Sequence, residues 1–268
     1  MKKKSVFFWW KIGITVVSFF AVIAFGSNID WSNFSNNYVD PVLLKEIAYD
    51  LSIGIFSAMV LVWFIDEISN HIQERQSNNA EVEIIKRFDK ILQCYIEQYI
   101  VLFYCVATPI EERNFKNVSM PERFTLKDMK DLHKTSLLMT EKVYGASVES
   151  FLQIELELRK EFQSFTEKCN FEFYPQIPQI FLEYIRVSIS YDSRGAIFDA
   201  KNMTSGKQKM TDLIHDILES SADNLREKML KGEDRGGNLA DPYIFLYEMM
   251  RQERGLILMY QKEIEKLK

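Results

Sequence analysis

The residues able to do chemistry are few and scattered. His71, His133 and His215 stand apart from one another, each among polar neighbours. Any of them offers a general base or a metal ligand, but an isolated histidine is more often a surface or hydrogen-bonded side chain. Cys94, Cys105 and Cys169 lie in apolar helical stretches and read as small, inert core residues. Three cysteines and three histidines argue against a multi-cysteine zinc site or a disulfide scaffold. The chain has no phosphate-binding glycine loop, no G-x-S-x-G elbow, no H-E-x-x-H and no C-x-x-C. Acid pairs such as Glu111/Glu112 and Glu155/Glu157 read as solvated helix charges. No catalytic residue, metal or cofactor is therefore expected.

Anion binding is the chemistry that remains. Ser193-Arg194-Gly195 and Asp234-Arg235-Gly236-Gly237 place an arginine beside glycine, where backbone N–H groups are accessible to an anion. A turn and a mobile linker are the plainer alternatives. Lys201, Lys207 and Lys209 surround Gly206, and Arg226, Lys228 and Lys231 follow. Arg194, Lys207, Lys209, Arg226 and Arg235 are thus candidate contacts for a nucleotide, a nucleic acid or an anionic lipid headgroup. Asp212, Asp216, Glu219 and Asp223 dilute the patch toward an ordinary mixed helix face. Net charge argues the same way. With 33 basic and 38 acidic residues the chain carries −5, which does not suit a globally basic nucleic-acid binder.

Two apolar stretches dominate the N-terminal part. From Ser5 to Phe25 the only charged residue is Lys11. As a helix this stretch is about 31 Å long, the thickness of a bilayer core. Phe7, Phe8, Trp9 and Trp10 stand at its start, where rings favour the lipid–water interface. A cleaved signal peptide is the rival reading, with Lys2–Lys4 as the basic region and Ala24-Phe25-Gly26 as a cleavage site. The second stretch, Ile47 to Ile68, follows at hairpin distance and favours two spans. Its uncharged centre is about 22 Å long, and its flanks bring it to about 33 Å. Lys2–Lys4 and the basic residues after Ile68 bracket a loop holding Asp30, Asp40 and Glu46. The positive-inside rule then puts both termini in the cytoplasm and that loop outside. The Asn33-Phe34-Ser35 sequon reads as coincidental, since nothing else points to a secretory host.

Asp50, Gly54, Ser57 and Ala58 recur at i, i+4, i+7 and i+8 and share one helix face. Gly54-xxx-Ala58 is a small-xxx-small pair that lets two backbones approach closely. An acid on that face belongs away from lipid, or else at the hydrated outer interface. In an antiparallel hairpin Lys11 and Asp66 lie near the same end, so an ion pair between them would relieve charge burial.

The fold class expected is all-α: a transmembrane hairpin over residues 1–68, then a cytosolic multi-helix domain over 69–268. Val82, Ile85, Phe88, Leu92, Tyr95 and Tyr99 give one apolar face, ended by Pro109. Ser77-Asn78-Asn79 either breaks this helix from the second span or leaves one long stalk. Thr125-x-x-Asp128 opens a helix to about Lys142, and Ser147 opens another to Cys169 with Phe151, Ile154, Leu158, Phe162 and Phe165 on one face. Further helices are expected over 179–191 and 205–230, the latter closed by Gly232, and a last one from Asp241-Pro242 that carries Ile244, Tyr247, Met250, Leu256 and Tyr260. The interval Lys231 to Gly237 holds three glycines and no large apolar residue. Limited proteolysis should cut the domain there first, and preferential cutting between Ala80 and Ala107 would show a different organisation.

This layout, two spans followed by a catalytically blank helical domain, resembles the small two-transmembrane effectors of bacterial anti-phage systems. The resemblance is one of layout and covers the whole chain. It implies that the cytosolic domain receives a signal, a small ligand or a protein partner, and that the spans perturb or permeabilise the inner membrane. Two spans are too few to enclose a channel, so this reading needs a homo-oligomer built on the Asp50–Ala58 face. A passive membrane anchor that recruits a cytosolic protein needs neither the polar face nor an oligomer. An enzyme needs a convergent pocket of titratable groups, and the sequence offers none.

Overall fold

The computed structural model describes residues 2–27, 41–135, 145–233 and 238–267, with side chains from Trp9 onward in the first segment. The Asn33 sequon, loop acids Asp30 and Asp40, the 136–142 part of one expected helix, and Asp234, Arg235, Gly236 and Gly237 lie outside the described residues. The fold is all-α, with eight α-helices among the described residues. They are α1 (Lys2–Gly26), α2 (Pro41–Val106), α3 (Ser147–Lys168), α4 (Gln176–Ser190), α5 (Arg194–Ala200), α6 (Met210–Ser220), α7 (Ala222–Leu230) and α8 (Asp241–Glu265). The chain divides into two compact units, residues 1–78 and 79–268. The α2 helix contributes to both and is unbroken at Ser77-Asn78-Asn79.

In the first unit α1 and the start of α2 run antiparallel. Lys11 pairs with Asp66, the Phe19 ring lies 5.7 Å from that of Phe56, and Lys45 Nζ donates to the Ser27 carbonyl at 2.8 Å. A Cβ at Gly26 would come within 2.9 Å of the Tyr49 ring, so glycine is what lets that ring close the end of the pair. Both helices are long and apolar enough to cross a membrane, and only 6% of the most apolar window in each is buried. Side chains such as Val17, Phe20, Leu51 and Phe64 are exposed, unlike those of a soluble core helix.

The second unit is built on aromatic side chains. The apolar faces of α2 and α3 expected from periodicity are the buried ones: Ile85, Leu92 and Tyr99 on α2, and Phe151, Leu158, Phe162 and Phe165 on α3. Against them α4 packs on both α3 and α8. Phe162 stacks on Phe181 at 4.4 Å and meets Tyr184 edge-on at 4.9 Å. Buried Glu81 of α2 accepts the backbone N–H groups of Glu172, Phe173 and Tyr174, which fixes the turn before α4. Orphan donors there gain a charged acceptor that loose solvent would otherwise supply.

Three expected elements take other forms. Thr125 and Asp128 do make a reciprocal box, with Thr125 N–H donating to Asp128 Oδ2 at 2.6 Å. Beyond it the chain forms a 3₁₀ turn, Lys127–Met129, and further turns rather than an α-helix. Leu126, Met129 and Leu132, spaced by three, are all fully buried, and that spacing suits a three-residue turn. The expected 205–230 helix is divided. Gly206, at φ 64°, turns a two-residue hairpin, β1 (Thr204–Ser205) against β2 (Gln208–Lys209). Ser220 and Ser221 then return their hydroxyls to the Asp216 and Ile217 carbonyls, and Ser221 leaves helical geometry between α6 and α7. The segment after Ser193, read as a loop, is the short helix α5. Gly232, at φ 69°, follows the end of α7 as expected of a helix-stopping glycine.

Candidate functional site

The first candidate surface belongs to the N-terminal unit. Ser52 is buried, Phe56 touches Phe19 and Asp66 holds Lys11, so these residues turn toward α1. At about 100° per residue, Asp50, Gly54, Ser57 and Ala58 fall on the opposite side of α2. All four are exposed, and nothing lies within 4 Å of a Cβ placed at Gly54. The small-residue face is thus not used to pack α1. A separate apolar groove of about 740 Å³ is lined by Trp9, Trp10, Gly13, Val17 and Ala21 of α1 with Ser52 and Ile55 of α2.

The second candidate lies inside the 79–268 unit, where five helices bring polar groups together. Glu155 on α3 is fully buried, not solvated as its sequence neighbourhood suggested. The apolar residues around it, Phe151, Leu158 and Phe162, carry it into the core on the same helix face. It pairs with Arg194 at the start of α5, which Asp192 also holds at 2.7 Å. Glu253 on α8 is fully buried and accepts the Tyr99 hydroxyl at 2.8 Å. Burial pushes the Glu253 carboxyl up to about 8, against opposing pulls from Tyr99, Arg194, Tyr184 and Arg159. Burial first, and then Glu253, hold the Tyr99 and Tyr184 hydroxyls well above their ordinary range. Burial also lowers Arg194, with Glu253 drawing it back up. Glu155 Oε1, Tyr184 Oη and Glu253 Oε1 are buried with no hydrogen-bond partner in the protein.

A third, polar groove of about 330 Å³ is lined by Lys130, His133, Lys134, Thr211, Asp212, His215 and Asp216. His133 Nε2 lies 2.8 Å from the Tyr243 hydroxyl, and burial lowers its imidazole to about 4. His215 lies 3.4 Å from buried Asp131 and 3.5 Å from Asp216. Burial works to raise the Asp131 carboxyl, but Lys134, the Ile110 N–H and His215 together hold it below its ordinary value. His71 is exposed beside Glu67, at 3.2 Å. Among the described residues no group of three or more His, Cys, Asp or Glu side chains is placed to hold a metal ion.

Among the described residues, the basic side chains singled out from sequence are paired separately or exposed and do not form one anion site. Arg194 spends its charge on Glu155 and Asp192. Arg226 donates to Glu248 at 2.7 Å and lies over the Tyr247 ring. Lys201 is paired with Glu149, while Lys207 and Lys209 are exposed on the β1–β2 hairpin. Cys105 is buried and Cys169 half-buried, but Cys94 is exposed on α2, not in the core.

Sequence reasoning missed Glu155 and Glu253 as interior groups. The signal was present: each carboxylate interrupts an apolar stripe at helical spacing, Glu155 between Phe151 and Leu158, and Glu253 between Met250 and Ile257. Compared with known proteins, the chain matches no family model, no curated protein and no solved structure.

Proposed function

We propose that this chain is a self-associating membrane effector, whose helical unit 79–268 receives a cytosolic signal and whose N-terminal helices perturb the membrane. The observation that carries the reading is the pair of long apolar helices whose side chains are left exposed. Such surface is costly in water and at home in hydrocarbon. The Lys11–Asp66 ion pair supports it, because it neutralises the charges that interrupt the two apolar stretches. Polar Asp50 and open Gly54, on the side of α2 turned from α1, supply the face for self-association. Helical structure that continues through Ser77-Asn78-Asn79 supports coupling through α2. The layout it shares with anti-phage effectors makes phage defence the proposed setting.

The positive-inside rule supports an inner-membrane location with both termini cytoplasmic. Single-cysteine accessibility labelling tests this. Position 36 should be labelled from outside, and position 268 only after the membrane is permeabilised. A cytoplasmic position 36 or an external position 268 would refute the topology.

A second reading, a membrane anchor that recruits a protein, is favoured by a groove of about 500 Å³ between α2 and α3. Val101, Leu102 and Ile154 line it, and Glu97 and Glu157 give it acidic margins. Native mass in detergent separates the two readings: the effector requires an oligomer, and the anchor is content as a monomer.

A further inference from the structure

The interior of the 79–268 unit gathers buried acids, cations and hydroxyls at one point, where fully buried Glu253 is left with an oxygen that has no hydrogen-bond partner. Glu253 of α8 faces Tyr99 from α2, Arg159 from α3, Tyr184 from α4 and Arg194 from α5, and Arg194 in turn holds Glu155 of α3. Two cations are near, and neither donates a hydrogen bond to Glu253. Arg194 is held by Glu155 and Asp192, and Arg159 Nη1 donates to Ser188 Oγ at 3.1 Å. Glu253 accepts the Tyr99 hydroxyl, while its Oε1 has no partner in hydrogen-bond geometry and the nearby Tyr184 hydroxyl gives it only a weaker pull toward the charged form. A buried carboxylate is tolerated when two or three donors or a free cation satisfy it. A neutral carboxylic acid needs much less, and can itself donate a hydrogen bond.

We propose that Glu253 is a proton-operated latch of the helical unit. With its proton, it lets α8 seat against α2, α4 and α5 while Arg194 stays with Glu155. Without it, Glu253 competes with Glu155 and Asp192 for Arg194, while Arg159 is turned to Ser188. Either Arg194 leaves Glu155 or water enters to solvate the new charge, and both loosen α5 and α8 from the bundle. Tyr99 and Tyr184 do not titrate in this range, because burial and Glu253 keep their hydroxyls protonated.

The direction of the pH dependence follows. The carboxyl has an ordinary value of 4.5 and is raised to about 8 in the fold. The folded state thus binds the proton more tightly, so the stabilisation is complete below about pH 4.5 and is lost as pH rises to about 8. This device goes beyond the membrane reading and is tested in the helical unit whichever way that reading falls.

The test is the pH profile of unfolding for the full chain in detergent. Between pH 5 and pH 9 the folding equilibrium of the 79–268 unit should fall by about a hundredfold or more, read as a falling melting midpoint. Glu253→Gln keeps the size and an acceptor for Tyr99 while removing the titration, and should flatten the profile. Infrared titration gives a second readout on wild type. A protonated carboxylic C=O band should persist above pH 6, vanish toward pH 9 and be missing from the glutamine variant. Should that variant fail to fold, Tyr99→Phe serves: it removes a donor to the charged form and should move the band's loss to higher pH. A wild-type chain with no such band above pH 6 overturns the latch. So does a glutamine variant that keeps the wild-type slope.

Discussion

Replacing Arg194 with methionine is expected to destabilise the 79–268 unit by about 3–5 kcal/mol. The guanidinium is the charged partner of Glu155, whose side chain is fully buried. Methionine fills much of the same space, so the cost comes from charge rather than from a cavity. Glu155 would be left in the core among Phe151, Leu158 and Phe162, without a counter-ion and with Oε1 already lacking a hydrogen bond. The melting midpoint should drop by about 10 °C for a unit of this size. The double variant Glu155→Leu/Arg194→Met should recover most of the loss, because a well-packed apolar pair often matches a buried ion pair in stability. A single variant that melts like wild type would mean that Glu155 finds water or another cation. A double variant no better than the single would place the effect in α5 itself and not in the pair.

Much of the fold was legible because helical periodicity and punctuation act locally. The apolar stripes of α2, α3 and α8 predicted their buried faces, and Gly232 and Asp241-Pro242 marked real ends. What escaped was decided at longer range or by competing local bonds. The 126–132 segment has a correct helix-start signature, but the chain goes on as a 3₁₀ turn and further turns, burying Leu126, Met129 and Leu132 at the three-residue spacing such turns repeat. The division of α6 from α7 falls at Ser221, whose backbone leaves helical geometry where two successive serine hydroxyls return to the preceding turn. No periodicity argument registers such a bond.

The candidate site was legible to a lesser degree. Lys11 and Asp66 could be matched from antiparallel arithmetic alone, and the structure pairs them. The interior cluster could not be assembled that way, because its members come from five helices with no common spacing. Arg194 drew notice for its glycine neighbour, a cue for an anion site, and its anion is an internal one, Glu155. Charge diluted by acids at the sequence level becomes specific pairing in space, as with Arg226 and Glu248. A carboxylate on an apolar stripe is the cue that deserved priority. Burying it is so costly that its partner must be close by.

Gly54→Leu and Asp50→Asn should separate assembly from conduction. Leucine favours insertion but blocks close backbone approach, so Gly54→Leu should reduce the native mass in detergent while the chain still enters the membrane. Nothing lies within 4 Å of a Cβ at Gly54, so leucine can be built there without disturbing the single chain. A lost oligomer would then report on contact between copies. Asp50→Asn keeps size and removes charge. If Asp50 faces a water-filled path in the assembly, membrane depolarisation in expressing cells should change while the native mass stays the same. If Asp50 only meets headgroups, both quantities should stay at wild-type values. Each variant needs both readouts, because a drop in depolarisation alone would follow equally from lost assembly. A wild-type chain that is monomeric and leaves the membrane polarised, even with its neighbouring genes present and triggered, would sink the effector. The anchor would then be the standing reading, with the α2–α3 groove as the surface to probe, and Val101→Asp should release a recruited partner without changing membrane insertion.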